Sequence, residues 1–514
     1  MIQSLSNKMK TLVSMILVLL YQEHTLGQVF NSNLARTTTG SELSSTGSDA
    51  MDIIRKRGFF GEMFAFNASD GTLLTAYHLI NPLADQRTLY KYPVIIFHGI
   101  GGNAAQMMSR SASVRPRRPT IGRINIDLVK DVNMAFFLSN NNFDVWLVDS
   151  KGSEVLQRKL ANNNIDPMGH DKYWDFTLDE QTLSHFPSQV DFVLAKTLAH
   201  KAHLITYSQS TFFAFALLTS RPEFASKMAS LVAIAPIAYI NHLSGLGAPI
   251  ADMVSRIPDG LVEVNYASPM ISNTLGLSVQ SMCRMPMVIN ACNTGMAVLL
   301  GAGNSLDTGE FYKDAIKGTS LKAYKHFAQL FTQRRIGMYD HGVHGNIKRY
   351  GSASPPDYDL GRIKFPRIIL VRGVKDLVSN TDDQELFLRK LGVKPLVDIV
   401  LPNYNHLAYL TSETVAKDAN HPIAVTLLDI TLRLADIPDR PPNDVDMRYR
   451  YIQPMIRVPS HQVRLQQLSE RKPSIGFEMK SLFENPLDIF ENLRKQPEVL
   501  VDSVNRFANM VGLS

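Results

Sequence analysis

The feature of this sequence that most constrains its fold is a series of short apolar runs separated by segments with helical periodicity. Residues 93–97 form one such run, Pro-Val-Ile-Ile-Phe, which is typical of a strand buried on both faces. Further strands are predicted at residues 143–148, 203–206, 231–234, 367–371 and 397–401, with helices at 186–198 and 210–219. Strands that alternate with helices predict an α/β fold, with a mostly parallel central sheet and helices on both faces.

A chain of 514 residues, of which 45% are hydrophobic, has enough apolar material for one large core and additional segments. The alternation lapses after about residue 238, which indicates an inserted cap, and a proline cluster at 438–442 ends the last core helix. The predicted organisation is a signal peptide (1–27), a flexible leader (28–50), the first part of the core (51–237), a helical cap or lid insertion (238–325), the second part of the core (326–436) and a partly helical C-terminal tail (437–514). The helical spacing at the end of the tail fits either packing on the core or contact with lipid or a partner.

The N-terminus has the composition of an export signal. Lys8 and Lys10 precede an apolar run at residues 12–20, and the small residues Thr25 and Gly27 follow it. We therefore expect a secreted, extracellular protein, with the lysosomal lumen as the alternative location and a retained signal anchor as the alternative to cleavage.

Export also bears on the cysteines and on one glycosylation sequon. Cys283 and Cys292 are close in sequence, which predicts a local disulfide in an oxidising compartment, with two free thiols as the alternative. Asn67-Ala68-Ser69 is a sequon in a predicted turn, which makes Asn67 a candidate for glycosylation.

The net charge of +6 and the pI near 9.0 come from scattered Lys and Arg residues without a basic run. This pattern argues against a nucleic-acid partner and fits a weak attraction to anionic lipid surfaces, so peripheral contact with a membrane or lipid droplet is open. No protein partner can be inferred, and the histidines suggest no metal site, because His341 and His344 lack further ligands at suitable spacing.

One serine lies where a predicted strand meets a predicted helix. Ser208 follows Tyr207 and is flanked at two residues on either side by Thr206 and Ser210. This arrangement resembles a nucleophile elbow, a strained turn that lifts a serine hydroxyl above the sheet and needs small residues at those two positions. Glycine is usual at both, so Thr206 and Ser210 are departures, and an ordinary helix N-cap is the alternative role of Ser208.

The other two members of a catalytic triad follow in the order expected for an α/β-hydrolase. Asp376 comes after the strand predicted at 367–371, and His406 comes after the strand predicted at 397–401. Serine becomes nucleophilic when an imidazole takes its proton, and a carboxylate orients that imidazole. We therefore predict Ser208 as nucleophile, His406 as general base and acid, and Asp376 as the orienting acid. The alternative for Asp376 is a residue that caps a turn, and the alternative for His406 is a loop histidine with a structural role only.

An ester hydrolase also needs backbone N–H donors for the oxyanion. The candidates are Gln209, directly after the serine, and Ile100, in the glycine-rich loop that follows the first long strand. His98 in the same loop is predicted to hold the loop rather than to react.

At this point the sequence resembles the acid lipase family, which includes gastric and lysosomal acid lipases, from about residue 51 to residue 436. The matching stretches include His98-Gly99, Asp144-Val145-Trp146-Leu147, Tyr173-Trp174, Ser208-Gln209, Lys375-Asp376-Leu377 and Tyr404-Asn405-His406-Leu407. The two cysteines have the spacing of the family's cap disulfide. Asp149 and Lys151 stand where the family usually has Asn and Arg, which is a departure.

The resemblance implies an α/β-hydrolase fold and a serine hydrolase that cleaves acylglycerols or sterol esters at a lipid–water interface without a cofactor. It also implies that the cap shields an acyl pocket. A catalytically silent lipid-binding or transport protein is the alternative function, since Thr206 and Ser210 alter the elbow. Hydrolysis of a non-lipid acyl substrate is a third.

Overall fold

The computed structural model describes residues 50–108, 114–125, 133–152, 172–245, 247–257, 289–302, 318–435 and 447–457. All of them lie in the first of two compact units, Met1–Pro459; the second is Ser460–Ser514. The predicted signal peptide, most of the leader and Cys283 lie outside the described residues, as do the proline cluster and the end of the tail.

The described residues contain a nine-stranded sheet. Its strands are β1 (Phe60–Asn67), β2 (Leu73–Ile80), β3 (Val94–Phe97), β4 (Val145–Asp149), β5 (Ala202–Tyr207), β6 (Met228–Ile234), β7 (Ile368–Gly373), β8 (Val397–Leu401) and β9 (Ile456–Arg457). Their order across the sheet is β8-β7-β6-β5-β3-β4-β2-β1-β9. Strands β3 to β8 pair in parallel, whereas β2 runs antiparallel to β4 and to β1.

The predicted α/β-hydrolase fold is confirmed by this arrangement of strands and helices. The predicted apolar runs lie in β3 to β8, each within a few residues of its predicted bounds. Since all residues of β3, β6 and β7 are buried, continuous apolar runs were an appropriate signal for these strands.

Helices flank the sheet. Their bounds are α1 (Ala50–Arg57), α2 (Met134–Ser139), α3 (Leu178–Glu180), α4 (Phe186–Thr197), α5 (Gln209–Ser220), α6 (Gly247–Ser255), α7 (Ile289–Leu300), α8 (Leu321–Gln333), α9 (Gly342–Tyr350), α10 (Thr381–Lys390), α11 (Ala408–Thr411) and α12 (His421–Ala435). One π-helical segment, Gln181–His185, joins α3 to α4, and a second, Ala416–Asn420, precedes α12. Helices α6 to α9 lie between β6 and β7, in the region that includes the predicted cap.

Two hydrophobic clusters cover opposite faces of the sheet. Ile95 and Phe97 of β3 pack in one cluster with residues of α4 and α5, whereas Val94 and Ile96 pack in the other with α1, α2 and α12. This alternation follows from the two-residue period of a strand. Burial of a large apolar side chain on either face stabilises the fold by about 1.5–3 kcal/mol.

Part of the predicted tail packs on the core. Strand β9 pairs antiparallel with β1, and the Met455 amide donates to the Met63 carbonyl over 2.7 Å. The Tyr449 ring lies against Phe66 and Phe192, and its hydroxyl donates to the Asn67 carbonyl over 2.9 Å. Residues 456–457 therefore add a strand to the sheet that the sequence assigned to residues 51–436, and Tyr449 packs beside it.

Within the described part of the chain, no helix is both long enough and apolar enough to cross a membrane.

Candidate active site

Ser208 lies in a sharp turn between β5 and α5. Its backbone has φ 54° and ψ −119°, a conformation that costs a non-glycine residue of order 1–3 kcal/mol. The Ser208 amide donates to the Ile234 carbonyl of β6 over 3.0 Å, and the Ser208 carbonyl accepts from the Thr211 amide over 2.9 Å. The turn is thus held from the neighbouring strand and from the first turn of α5.

The two departures from glycine at this turn each make hydrogen bonds. Thr206 Oγ1 donates to the Val232 carbonyl over 2.9 Å. Ser210 Oγ accepts from the Tyr207 amide over 2.9 Å and lies 3.2 Å from the Phe97 carbonyl oxygen. The added polar groups are therefore satisfied inside the buried turn, which removes most of the penalty for burying them.

A hydrogen-bonded chain runs from Ser208 through His406 to Asp376. Ser208 Oγ is 2.8 Å from His406 Nε2, and His406 Nδ1 is 2.8 Å from one oxygen of Asp376 and 3.1 Å from the other. All three side chains are buried. The structure thus brings together three residues that are far apart in sequence, in contact distances suited to proton transfer.

Hydrogen bonds from backbone amides and from a tyrosine hold the two loops that carry Asp376 and His406. One oxygen of Asp376 accepts from the amides of Val378 and Ser379, over 2.9 and 2.8 Å. The Tyr207 hydroxyl donates to the His406 carbonyl over 2.6 Å. Burial, followed by the charge of Asp376, raises the pKa of Tyr207 well above its usual 10. Tyr207 therefore stays protonated and keeps this donor at physiological pH.

The glycine-rich loop after β3 runs next to Ser208. A Cβ added at Gly99 would lie 3.1 Å from Ser208 Cβ and 3.2 Å from the Tyr207 ring, so any larger residue would push Ser208 or Tyr207 aside by a few tenths of an ångström. Ile100, the predicted donor in this loop, directly follows Gly99, and Gln209, the other predicted donor, begins α5. Ile100 is therefore next in the chain to a glycine that lies beside Ser208, and Gln209 is next to Ser208 itself.

His98 holds this loop, in agreement with the role predicted for it. Its Nε2 accepts from the Ser150 amide over 2.9 Å, and its Nδ1 lies 2.7 Å from the Gly99 carbonyl. Burial lowers the pKa of His98 to about 4, so the ring is neutral near pH 7. A neutral ring supplies one acceptor and one donor, which matches these two contacts.

Asp149 anchors the same loop from the end of β4. One of its oxygens accepts from the Ala104 amide over 2.7 Å, and the other accepts from the hydroxyls of Thr75 and Tyr77, over 3.0 and 2.8 Å. The Asp149 carbonyl accepts from Gln189 of α4 over 2.7 Å. This departure from the family's usual Asn is therefore accommodated by three donors.

Asn67, the candidate for glycosylation, is the last residue of β1 and is exposed. The hydroxyl of Ser69, the third residue of the sequon, lies 2.8 Å from the Ser184 hydroxyl. The disulfide predicted between Cys283 and Cys292 stays a prediction, since Cys283 is not among the described residues.

The sequence reasoning missed Tyr207 and the anchoring function of Asp149 as supports of the site. Tyr207 directly precedes Ser208, and Asp149 was noted only as a departure from the family's usual residue, because a residue type alone does not reveal a hydrogen bond to a distant loop. The contacts of Leu300 and Gly301 with the Asp376 and His406 loops were missed for the same reason.

Comparison with known proteins finds relatives along most of the chain. Gastric triacylglycerol lipase from Bos taurus is 26% identical over 367 residues, which cover 69% of this chain and 84% of that lipase. Lipase member M from Homo sapiens is 24% identical over 66% of this chain and 76% of the relative. No protein-family model matches the sequence.

Solved structures align less closely. A thermophilic esterase from Thermogutta terrifontis aligns with 72% of this chain and 99% of its own, at 13% identity and a TM-score of 0.38.

Proposed function

Starting from a chain that is acid lipase-like in sequence, we propose that this protein is a carboxylic ester hydrolase that cleaves lipid esters with Ser208, His406 and Asp376. The observation that carries the proposal is the hydrogen-bonded chain from Ser208 Oγ through His406 to Asp376, with both links at 2.8 Å, at a strained turn. The relatives named as lipases support the same reaction class.

The reaction follows from these contacts. Ser208 Oγ bonds to the ester carbonyl carbon while its proton passes to His406 Nε2, and the carbonyl oxygen takes the negative charge. Collapse of this intermediate breaks the C–O bond, and His406 returns the proton to the departing alcohol. Water then repeats the sequence on the acyl-enzyme, which releases the carboxylic acid and restores Ser208.

Asp376 and the loop after β3 complete the proposed machinery. Asp376 stabilises the imidazolium that forms at His406 and holds the tautomer in which Nε2 accepts from serine. The amides of Ile100 and Gln209 are the proposed donors to the oxyanion, and each such donor is worth about 2.7–4 kcal/mol in a serine hydrolase. His98 and Asp149 position the loop that contains Ile100.

We further propose that the substrates are acylglycerols or sterol esters, met at a lipid–water interface outside the cell, with the lysosomal lumen as the alternative location. The predicted export signal and the relatives named gastric triacylglycerol lipase support this finer assignment. The second candidate, a silent lipid-binding protein, is favoured by Thr206 and Ser210 at the turn.

Covalent labelling of the purified protein by a fluorophosphonate tests the proposed nucleophile. We expect a single adduct on Ser208, located by mass spectrometry, and no adduct in a folded Ser208→Ala variant. Ser220→Ala is a matched control, because Ser220 lies at the far end of α5. Folded wild-type protein that takes no label would contradict the hydrolase and favour the silent binding protein.

A panel of esters then tests the substrate class. We expect hydrolysis of emulsified triacylglycerol or cholesteryl ester to exceed that of a soluble short-chain ester at equal molar concentration. A preference for the soluble ester would contradict the lipid substrate while leaving the ester hydrolase intact.

A further inference from the structure

The C-terminal end of α7 reaches both loops of the proposed triad. The Leu300 carbonyl accepts from the His406 amide over 3.2 Å and lies 3.4 Å from the Leu377 amide. Leu377 follows Asp376 directly in the chain. One backbone oxygen from the segment between β6 and β7 therefore contacts the His406 loop and the Asp376 loop at once.

The next residue adds a second pair of contacts. The Gly301 carbonyl accepts from Asn405 Nδ2 over 2.6 Å. Gly301 has φ +102°, and a Cβ built on it would lie 1.9 Å from the Lys375 carbonyl oxygen and 3.2 Å from Asn405 Cβ. Only glycine permits this approach, since something must shift when a Cβ is brought so close to backbone.

These contacts are made with the His406 amide and with the chain neighbours of Asp376 and His406, the two residues on which proton transfer would depend. Lys375 and Leu377 flank Asp376, and Asn405 precedes His406. Asn405 also shapes its own loop, because its Oδ1 accepts from the amides of Leu407 and Ala408 over 3.1 and 2.9 Å. The two loops are joined directly as well, by a 3.0 Å bond from the Lys375 amide to the Tyr404 carbonyl.

We infer that Leu300 and Gly301 form a positioning clasp that holds Asp376 and His406 in register with Ser208. The inference rests on the proposed function and deepens it, since it assigns a role in turnover to residues that touch no reacting atom. A displacement of about 1 Å within such a constellation can lower turnover on the order of 100-fold. The clasp connects the end of α7 to the two loops that carry Asp376 and His406.

A purely structural role for Gly301 is the competing explanation. The Gly301 amide donates to the Ala297 carbonyl over 2.9 Å, as a glycine that ends a helix does. That role alone predicts a loss of stability without a specific change in turnover. At a temperature where every variant is folded, the structural role predicts an unchanged kcat for a Gly301 variant, whereas the clasp predicts a lower kcat.

The decisive experiment compares Gly301→Ala with Gly295→Ala. Gly295 lies in the same helix, and a Cβ there would meet no atom within 4 Å. We expect Gly301→Ala to lower kcat and the rate of fluorophosphonate labelling about 100-fold. We expect KM to stay within about threefold of wild type, and Gly295→Ala to match wild type in all three quantities. Circular dichroism and thermal unfolding establish which variants are folded.

A second variant keeps the test informative if Gly301→Ala does not fold. Asn405→Asp retains an oxygen that accepts from Leu407 and Ala408 but replaces the donor to the Gly301 carbonyl. We expect kcat to fall at least tenfold at unchanged KM.

The outcomes separate the clasp from the proposed function. Folded Gly301→Ala or Asn405→Asp with wild-type kcat and labelling rate would overturn the clasp. Wild-type protein that neither labels nor hydrolyses esters would instead overturn the function on which the clasp rests.

Discussion

His406 and His78 are two of the described histidines that lie 2.8 Å from an aspartate, but their surroundings differ. His406 has Asp376 on one ring nitrogen and the Ser208 hydroxyl on the other. His78, on β2, has Asp144 on one nitrogen, and its other nitrogen is 3.8 Å from an oxygen of Glu62. The His78 ring also stacks on Trp146, with ring centres 4.2 Å apart.

The group at the ring nitrogen that does not face the aspartate decides whether each histidine can accept a proton. Burial alone would lower the pKa of His78, but the charges and hydrogen bonds of Asp144 and then Glu62 raise it to about 9. His78 is therefore already a cation at neutral pH and cannot accept a proton from a nucleophile. A histidine–aspartate pair in a structure is thus evidence for catalysis only when the other nitrogen faces a group that has a proton to give.

Replacing His406 and His78 by alanine in separate variants is the strongest test of this difference. We expect His406→Ala to lower kcat by about 10⁶-fold, the order of loss seen when a triad histidine is removed from a serine hydrolase. We expect His78→Ala to keep kcat within about fivefold and to lower the thermal midpoint instead. A folded His78→Ala variant that loses turnover would show that the comparison is wrong.

The pH dependence of stability sharpens the comparison. A histidine whose pKa is raised from 6.5 to about 9 stabilises the fold fully below pH 6.5, and this contribution is lost as the pH rises through 9. The difference in free energy of unfolding between wild type and His78→Gln should therefore shrink by about 3 kcal/mol from pH 6 to pH 10. Urea denaturation at each pH measures it, with exposed His344→Gln as the control. A difference that does not change with pH would contradict the ion-paired state of His78.

The smallest expected effect concerns the turn that presents Ser208 to His406. Ser210→Gly removes the acceptor for the Tyr207 amide, so we expect the free energy of unfolding to fall by about 1–2 kcal/mol. Turnover should stay within about threefold, because the hydroxyl braces the turn and does not face substrate. Ser220→Gly, at the other end of α5, controls for the effect of glycine in a helix. A tenfold rise in kcat for Ser210→Gly would show that the departure impairs the turn.

Much of the fold was predictable because strands β3 to β7 are short and fully buried. The runs that contain Ile96 and Leu370 are apolar over four successive residues, so they were recognisable without any structure. The candidate site was predictable in outline, because the order of Ser208, Asp376 and His406 follows from where the strands end.

The rest depends on contacts between segments that are distant in sequence. The bond from Tyr207 to the His406 carbonyl joins residues 199 positions apart, and no local pattern records it. The clasp at Leu300 and Gly301 is made by backbone oxygens, which every residue has. Strand β9 pairs only two residues with β1, too few to produce a period in the sequence.

That short strand has a consequence for how the molecule behaves in a crowded solution. An edge strand offers unpaired amides and carbonyls to the edge strands of other molecules, and such exposed edges promote aggregation. Residues 455–457 occupy part of the outer edge of β1, where Met63 accepts from Met455 and where Glu62 and Met63 pair with β9. The chain thus shields its own outermost long strand with a segment that lies almost four hundred residues further along, and a molecule that lacked this segment would expose that edge to its neighbours.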